Sequence, residues 1–168
     1  MVDLGSRPAP TAFSEHTGLL GVRVMESINI SLFRLSKGHV GGEIFGQPVI
    51  LLTTTGRKSG VRRTKPLLAM RDRGAWIVVG SRGGTREHPL WYRNLVAYRD
   101  EPERLVPPTV EAADNVTTAV ESEDLTGDDL RRWWRKLVAV YPKFQAYQDR
   151  APNRDIPVIR LTPKPLTP

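Results

Sequence analysis

Apolar positions follow two different periods along this chain, and each switch between them marks an element. At Val22, Met25, Ile28, Leu32 and Leu35 they recur every three or four residues, with Arg23, Glu26, Arg34 and Lys37 between them and Gly38 beyond. The spacing predicts an amphipathic helix within segment 18–40, whose stripe has two destinations: the core of the domain, or peripheral contact with a membrane surface. Short runs rich in branched residues follow at 49–54, 64–70 and 75–79, separated by glycine-bearing turns, and predict an antiparallel meander. Pro66 inside the second run predicts an edge position or a bulge, since proline gives no N–H to a ladder. Helical spacing returns at Trp91, Tyr92, Leu95, Val96 and Tyr98, with His88 expected at the cap and Pro89 as the first helical residue.

Strands are expected near 105–110 and 116–121. Leu130, Trp133, Trp134, Leu137, Val138 and Tyr141 then form one helical face, opened by a capping-box-like Thr126/Asp129 pair and stopped at Pro142. Phe144 and Tyr147 repeat the three-residue step from Tyr141, and 156–161 is expected as the closing strand. Residues 1–17 and 163–168, poor in large apolar groups, are expected as tails around a body at 41–162.

Composition narrows the chemistry. At 168 residues the chain fits one domain, and its 14 glycines and 14 prolines imply many turns and a sheet-rich build. Cysteine is absent, which removes disulfides, thiolate nucleophiles and Cys-ligated metals, so any redox chemistry must rest on a bound cofactor. His16, His39 and His88 are scattered without ligand spacing, and no metal is expected. No run approaches the about 18 apolar residues of a membrane span, and no signal-peptide core is present, so a cytoplasmic location is expected, with peripheral membrane contact through the Val22–Leu35 stripe as its variant.

Charge is placed unevenly. Between Gly56 and Arg86 nine basic residues face one acid, so this stretch carries more charge than the net +7 of the whole chain. Residues 111–129 hold seven acids and no base, which either balance the basic hairpin across the fold or face solvent. A cationic turn bracketed by glycines suits phosphate or carboxylate oxygens, with Arg as a bidentate fork. Gly56-Arg-Lys-Ser-Gly60 lacks the Walker spacing and leads into a strand instead of a helix. A second glycine loop, Ser81-Arg82-Gly83-Gly84, precedes the helix that carries Trp91 and Asn94. Together these suit an anion at one end and a flat ring at the other, the alternative for the basic turn being a solvated hairpin tip. Nucleic acid is a poor fit, because the basic charge is confined to one region.

The ordered set LLTTTGRKSGVRRTKPLL, VVGSRGG, HPLWYRNL, and YPKFQAYQ with RDIPV resembles the deazaflavin-dependent nitroreductase family, over roughly residues 49–159. The resemblance implies a mainly β, α+β fold, an FMN-binding-like split β-barrel, with coenzyme F420 as its cofactor. F420 carries a phosphodiester and an oligoglutamate tail, which suits the cationic hairpin. By the same resemblance the cofactor is bound by Arg57, Lys58 and Ser59 of the turn, and by Arg63, Thr64, Lys65, Pro66, Leu67 and Leu68 of the next strand. Val79, Gly80, Ser81 and Arg82, the helix residues Leu90, Trp91, Tyr92, Arg93 and Asn94, and Phe144 complete that set.

Arg82 stands where the family often has lysine. Tyr141 and Tyr147 are the implied catalytic phenols, and Phe144 between them can only pack. The activity implied is hydride transfer from reduced deazaflavin to a small-molecule acceptor, a quinone, enone or nitroaromatic. The reading from another class is a carrier that holds F420, a flavin or a lipid without turnover.

Overall fold

The computed structural model describes residues 30–39, 41–44, 46–113 and 116–164. Its strands are β1 (Glu43–Ile44), β2 (Gln47–Thr55), β3 (Arg62–Asp72), β4 (Ala75–Val79), β5 (Thr109–Glu111), β6 (Thr117–Asp124) and β7 (Val158–Pro163). Its helices are a segment at residues 30–35 (α1), α2 (Leu90–Asp100), α3 (Gly127–Val140) and α4 (Lys143–Asp149), with a 3-10 turn at Arg82–Gly84. The order β2-β3-β4-β7-β6-β5 returns to β2 through antiparallel pairs, so six strands close a barrel and β1 is a short hairpin arm on β2. This is the mainly β, α+β barrel that the sequence predicts.

The apolar runs are continuous because both sides of the barrel wall are covered. Ile50, Leu52, Ala69, Trp76, Val78, Val110, Val120, Ile159 and Leu161 fill the interior together with Trp91 and Leu95 of α2. Outside, Ile77 and Val158, with Leu68, Met70 and Val79, pack against Trp133 and Leu137 of α3 and Phe144 of α4. Phe33 of α1 covers Val49 and Leu51.

Strand β3 divides its pairing between two neighbours. Arg62–Leu68 pair with β2, whereas only Ala69–Asp72 pair with β4. The edge of β3 that faces β4's side is therefore open over residues 62–68, and Pro66 sits within that open stretch, as its missing N–H predicts. Beyond Val79 the chain turns away from β3, and the Gly80 N–H donates to Pro157 O at 2.9 Å. The result is a gap in the strand pairing, a slot between the open edge of β3 and the loop that follows β4.

Several expectations change. The strand expected at 105–110 shrinks to Thr109–Glu111, because Pro107 and Pro108 offer no N–H and pairing starts only after them. Pro89, not His88, is the N-cap of α2. Thr126 does cap α3, but without a side-chain hydrogen bond, and Asp129 turns instead to Arg132 at 3.0 Å. The described end of the α1 stripe is not core: Leu32 and Leu35 are 43% and 84% exposed, and the buried contact is Phe33. Val22, Met25 and Ile28 lie outside the described residues. No helix among the described residues is long and apolar enough to cross a membrane.

Candidate functional site

The turn between β2 and β3 is built by two glycines. Gly56 N–H donates to Val61 O at 2.9 Å, and Gly60, at φ +68, donates to Gly56 O at 2.8 Å. Asn94 of α2, only 5% exposed, holds this turn against the barrel. Its Oδ1 accepts from the Arg57 N–H at 3.2 Å, and its Nδ2 donates to Thr54 Oγ1 at 3.1 Å. Arg104 adds a bond to Arg57 O at 3.2 Å. The turn is thus held by two side chains, Asn94 and Arg104, from the protein itself.

The cations sort into those already engaged and those facing outward. Arg62 donates to Pro107 O at 2.6 Å and to Thr109 Oγ1 at 3.0 Å, bracing β3 against the β5 approach. Arg71 lies over the Trp76 ring at 4.8 Å and Arg82 pairs with Glu87 at 3.1 Å. Arg71 and Arg73 lie at or just beyond the far end of β3, about 25–30 Å along the strand from Arg63, so the basic stretch is not one patch. Among the described residues no carboxylate pairs with the side chains of Arg57, Lys58 or Arg63.

Four described acids of the acidic stretch are engaged away from the hairpin turn. Glu111 pairs with Arg34, Glu121 with Lys164, Glu123 with Arg160, and Asp124 with Arg99. Three cations without a carboxylate partner among the described residues thus stand at the turn end of β3, an arrangement that attracts an anion.

At the other end of the slot the walls are apolar and aromatic. Leu68, Met70 and Val79 share a cluster with Tyr141, Phe144 and Tyr147. Tyr141 and Phe144 meet edge to face at 5.0 Å between ring centres, and the Tyr141 and Tyr147 hydroxyls are 3.2 Å apart. That hydrogen bond, followed by burial, raises the Tyr141 phenol above its ordinary range and keeps it protonated.

The loop at 80–84 is pressed onto this aromatic step. A Cβ on Gly84 would come 2.5 Å from Tyr147 O, and one on Gly80 would come 2.7 Å from a Pro157 side-chain carbon. Thr53 and Thr64 link β2 to β3 by their hydroxyls at 2.8 Å.

The structure therefore brings Arg57, Lys58, Ser59, Arg63, Thr64, Lys65, Pro66, Leu67 and Leu68 onto one hairpin, and Val79–Arg82 beside Tyr147. The α2 residues disperse. Leu90 is exposed, Trp91 is buried inside the barrel, Arg93 reaches toward Glu87 at 3.8 Å, and Tyr92 donates to Asp124 Oδ2 at 2.9 Å. Of the five, Asn94 is the one hydrogen-bonded to the hairpin turn and its approach.

Sequence reasoning passed over Arg154 and gave His88 only a capping role. Arg154 is 8% exposed and lies behind the loop, its Nη1 3.1 Å from His88 Nδ1. Both line a cavity of about 400 Å³ with Tyr92, Asp124, Leu130 and Ile156. Burial first, then the neighbouring Arg154 and Arg93, lowers the His88 pKa. The one signal in the sequence was the RDIPV string, whose arginine has no acidic neighbour three or four residues away on a helix.

Residues 25–163 match the sequence model of the F420H(2)-dependent quinone reductase family. The chain is 32% identical over 148 residues to an F420H(2)-dependent quinone reductase of Mycobacterium tuberculosis strain H37Rv, covering 88% of this chain and 93% of that protein. It is 34% identical over 120 residues to a putative second enzyme of that name in the same strain, covering 70% and 91%. Among solved structures, an F420-H2 dependent reductase (FDR-A) superposes with a TM-score of 0.56 at 34% identity, over 68% of this chain and 93% of that one. A chain described as a domain-swapped dimer superposes with a TM-score of 0.57 at 28% identity, over 89% and 99%.

Proposed function

The chain belongs to the F420H(2)-dependent quinone reductase family, and from that premise we infer that it uses reduced F420 to reduce a quinone, with the slot beside β3 as the cofactor site. The observation that carries the site assignment is the polarity of the slot. Arg57, Lys58 and Arg63, without carboxylate partners among the described residues, stand at one end, and the Tyr141–Phe144–Tyr147 step stands at the other. From Arg63 to Leu68 the strand covers about 16 Å, room for a flat ring at the aromatic end and a polyanionic tail at the cationic end. These residues fit F420.

When bound, reduced F420 supplies a hydride; everything else in the reaction falls to the chain. Arg57, Lys58 and Arg63 bind the phosphodiester and carboxylates by charge-assisted hydrogen bonds. The open backbone edge of Thr64, Lys65, Pro66, Leu67 and Leu68 would hold the ring from one side, and Val79, Gly80, Ser81 and Arg82 would hold it from the other. Phe144, Leu68 and Met70 exclude water and orient the acceptor's plane. A quinone oxygen that receives the electron pair needs a proton, and the Tyr141 hydroxyl, kept protonated beside Tyr147, would hydrogen-bond that oxygen and supply it. Hydride plus proton completes the two-electron reduction of a quinone to its hydroquinone.

The test is steady-state oxidation of reduced F420 with a quinone panel, beside reduced FMN as the competing cofactor. Turnover with F420 and none above the protein-free rate with FMN is expected; tight binding of F420 with no turnover on any acceptor would make the chain a carrier. Leu32 and Leu35, exposed on α1, support peripheral contact with the membrane in which lipophilic quinones dissolve. Replacing both by glutamate should abolish flotation with anionic liposomes, and absence of flotation by the unaltered protein would dismiss that contact.

A further inference from the structure

Arg154 is buried, yet among the described residues no carboxylate pairs with it. Its guanidinium spends its donors on main-chain carbonyls instead: Nε on Thr85 O at 3.1 Å, Nη1 on Gly80 O at 3.2 Å, and Nη2 on Ser81 O at 2.9 Å. The fourth neighbour is His88 Nδ1 at 3.1 Å, which accepts, since guanidinium has no acceptor; the neutral ring then carries its proton on Nε2. A buried cation without a counter-ion is costly, and an apolar side chain of the same size would fill the space.

The three carbonyls explain the choice of residue. Gly80 and Ser81 open the loop between β4 and α2, and Thr85 lies at its middle, so one planar fork from about 70 residues further along the chain ties the first half of the loop together. Lysine, a single point of charge, cannot span three carbonyls in this geometry.

We propose that Arg154 is a positioning residue for the reduction: by stapling the loop from behind it sets where Ser81 and Arg82 stand relative to Tyr147 and the cofactor. The proposal rests on the reading that Val79–Arg82 border the cofactor. Its physical content is the rigidity of the loop. Gly84 already touches the main chain of Tyr147, so any sag of the loop changes its distance from the aromatic step directly. A misplacement of about 1 Å at a reacting centre costs on the order of 100-fold in rate. The cavity of about 400 Å³ that Arg154 lines gives small cations a way to its place.

The experiment uses Arg154→Ala and Arg154→Lys in the full chain, with three readouts. In the ligand-free protein, amide exchange at Gly80, Gly84 and Thr85 should speed up by about tenfold or more in both variants while the barrel strands stay protected. With reduced F420 and a quinone, kcat should fall on the order of 100-fold while the acceptor KM changes little. Millimolar guanidinium should restore both properties to Arg154→Ala, and methylammonium should restore neither.

A fully active Arg154→Lys with a protected loop overturns the proposal. So does an Arg154→Ala whose loss equals its unfolded fraction and ignores guanidinium. Should Arg154→Ala not fold, Arg154→Lys decides alone. Failure of the unaltered protein to oxidise reduced F420 would refute the cofactor reading instead, a result separable from the exchange data on the ligand-free loop.

Discussion

Replacing Asn94 by alanine removes the group that fixes the cationic turn to the barrel. Both bonds it makes are lost, from the Arg57 N–H and to Thr54 Oγ1, and Thr54 is itself only 2% exposed. A net hydrogen bond contributes about 0.5–1.5 kcal/mol, and a buried partner left unsatisfied costs about 1–3 kcal/mol more. The Thr54 hydroxyl can turn toward another acceptor, so a loss of roughly 2–4 kcal/mol of unfolding free energy is expected.

Asn94→Asp separates position from charge. A carboxylate accepts from both the Arg57 N–H and the Thr54 hydroxyl, so the turn stays in place while negative charge is added beside Arg57 and Lys58. Urea unfolding with unchanged m-values should therefore rank Asn94→Ala well below Asn94→Asp in stability. F420 titration should show both weakened, the aspartate by repulsion alone. A double-mutant cycle with Thr54→Val should give a coupling of about 1 kcal/mol. Asn94→Ala within 0.5 kcal/mol of the parent, with no coupling to Thr54, would refute the clamp.

Three further outcomes follow from the same geometry. Gly84→Ala combines a φ of +76 with a Cβ 2.5 Å from Tyr147 O, so it should cost about 1–3 kcal/mol and slow turnover; a neutral thermal midpoint would show that the loop does not press on α4. Tyr141 has a folded pKa raised above the unfolded value of about 10, so its contribution to stability is complete below that pH and is lost as pH rises through the folded value. Tyr141→Phe should flatten that alkaline limb and lower kcat more than it raises KM.

His88 has the opposite sign: its folded pKa is lowered, so its contribution is complete above the unfolded value of about 6.5 and is lost as pH falls through the folded one. His88→Gln should remove that acid-side decline in a urea series; an unchanged decline would mean that another group causes it.

The sequence made the barrel legible because β2 and β4 are buried on both faces and read as unbroken branched runs, and because glycine turns punctuate them. Pro66 even marked where β3 lacks a second neighbour. The proposed site was legible in its hairpin, where Arg57, Lys58 and Arg63 lie close in sequence. It was less so wherever partners come from afar. Asn94 is a helix residue whose bonds go to positions 37 and 40 residues earlier, and no local pattern announces them. Arg154 reaches 69 to 74 residues back to bare carbonyls, which carry no side-chain signature at all. On α2 the helical period identified the apolar face but not which barrel it plugs, so Trp91, a natural ring platform by composition, is interior packing. On α1 the three-and-four spacing picked Leu32 and Leu35, whereas among the described residues Phe33 makes the buried contact, with Ile30 beside it, over Val49 and Leu51.

The central claim is that the slot beside β3 grips F420 by its anionic tail at Arg57, Lys58 and Arg63. Fluorescence titration of F420 into the protein and into Lys58→Ala/Arg63→Ala, each at low and at high salt, tests it directly. Each charge-assisted contact is worth about 1.5–3 kcal/mol, so the double variant should bind at least about 100-fold more weakly and lose most of the salt dependence. Equal affinity and an equal salt response in the two proteins would contradict the account.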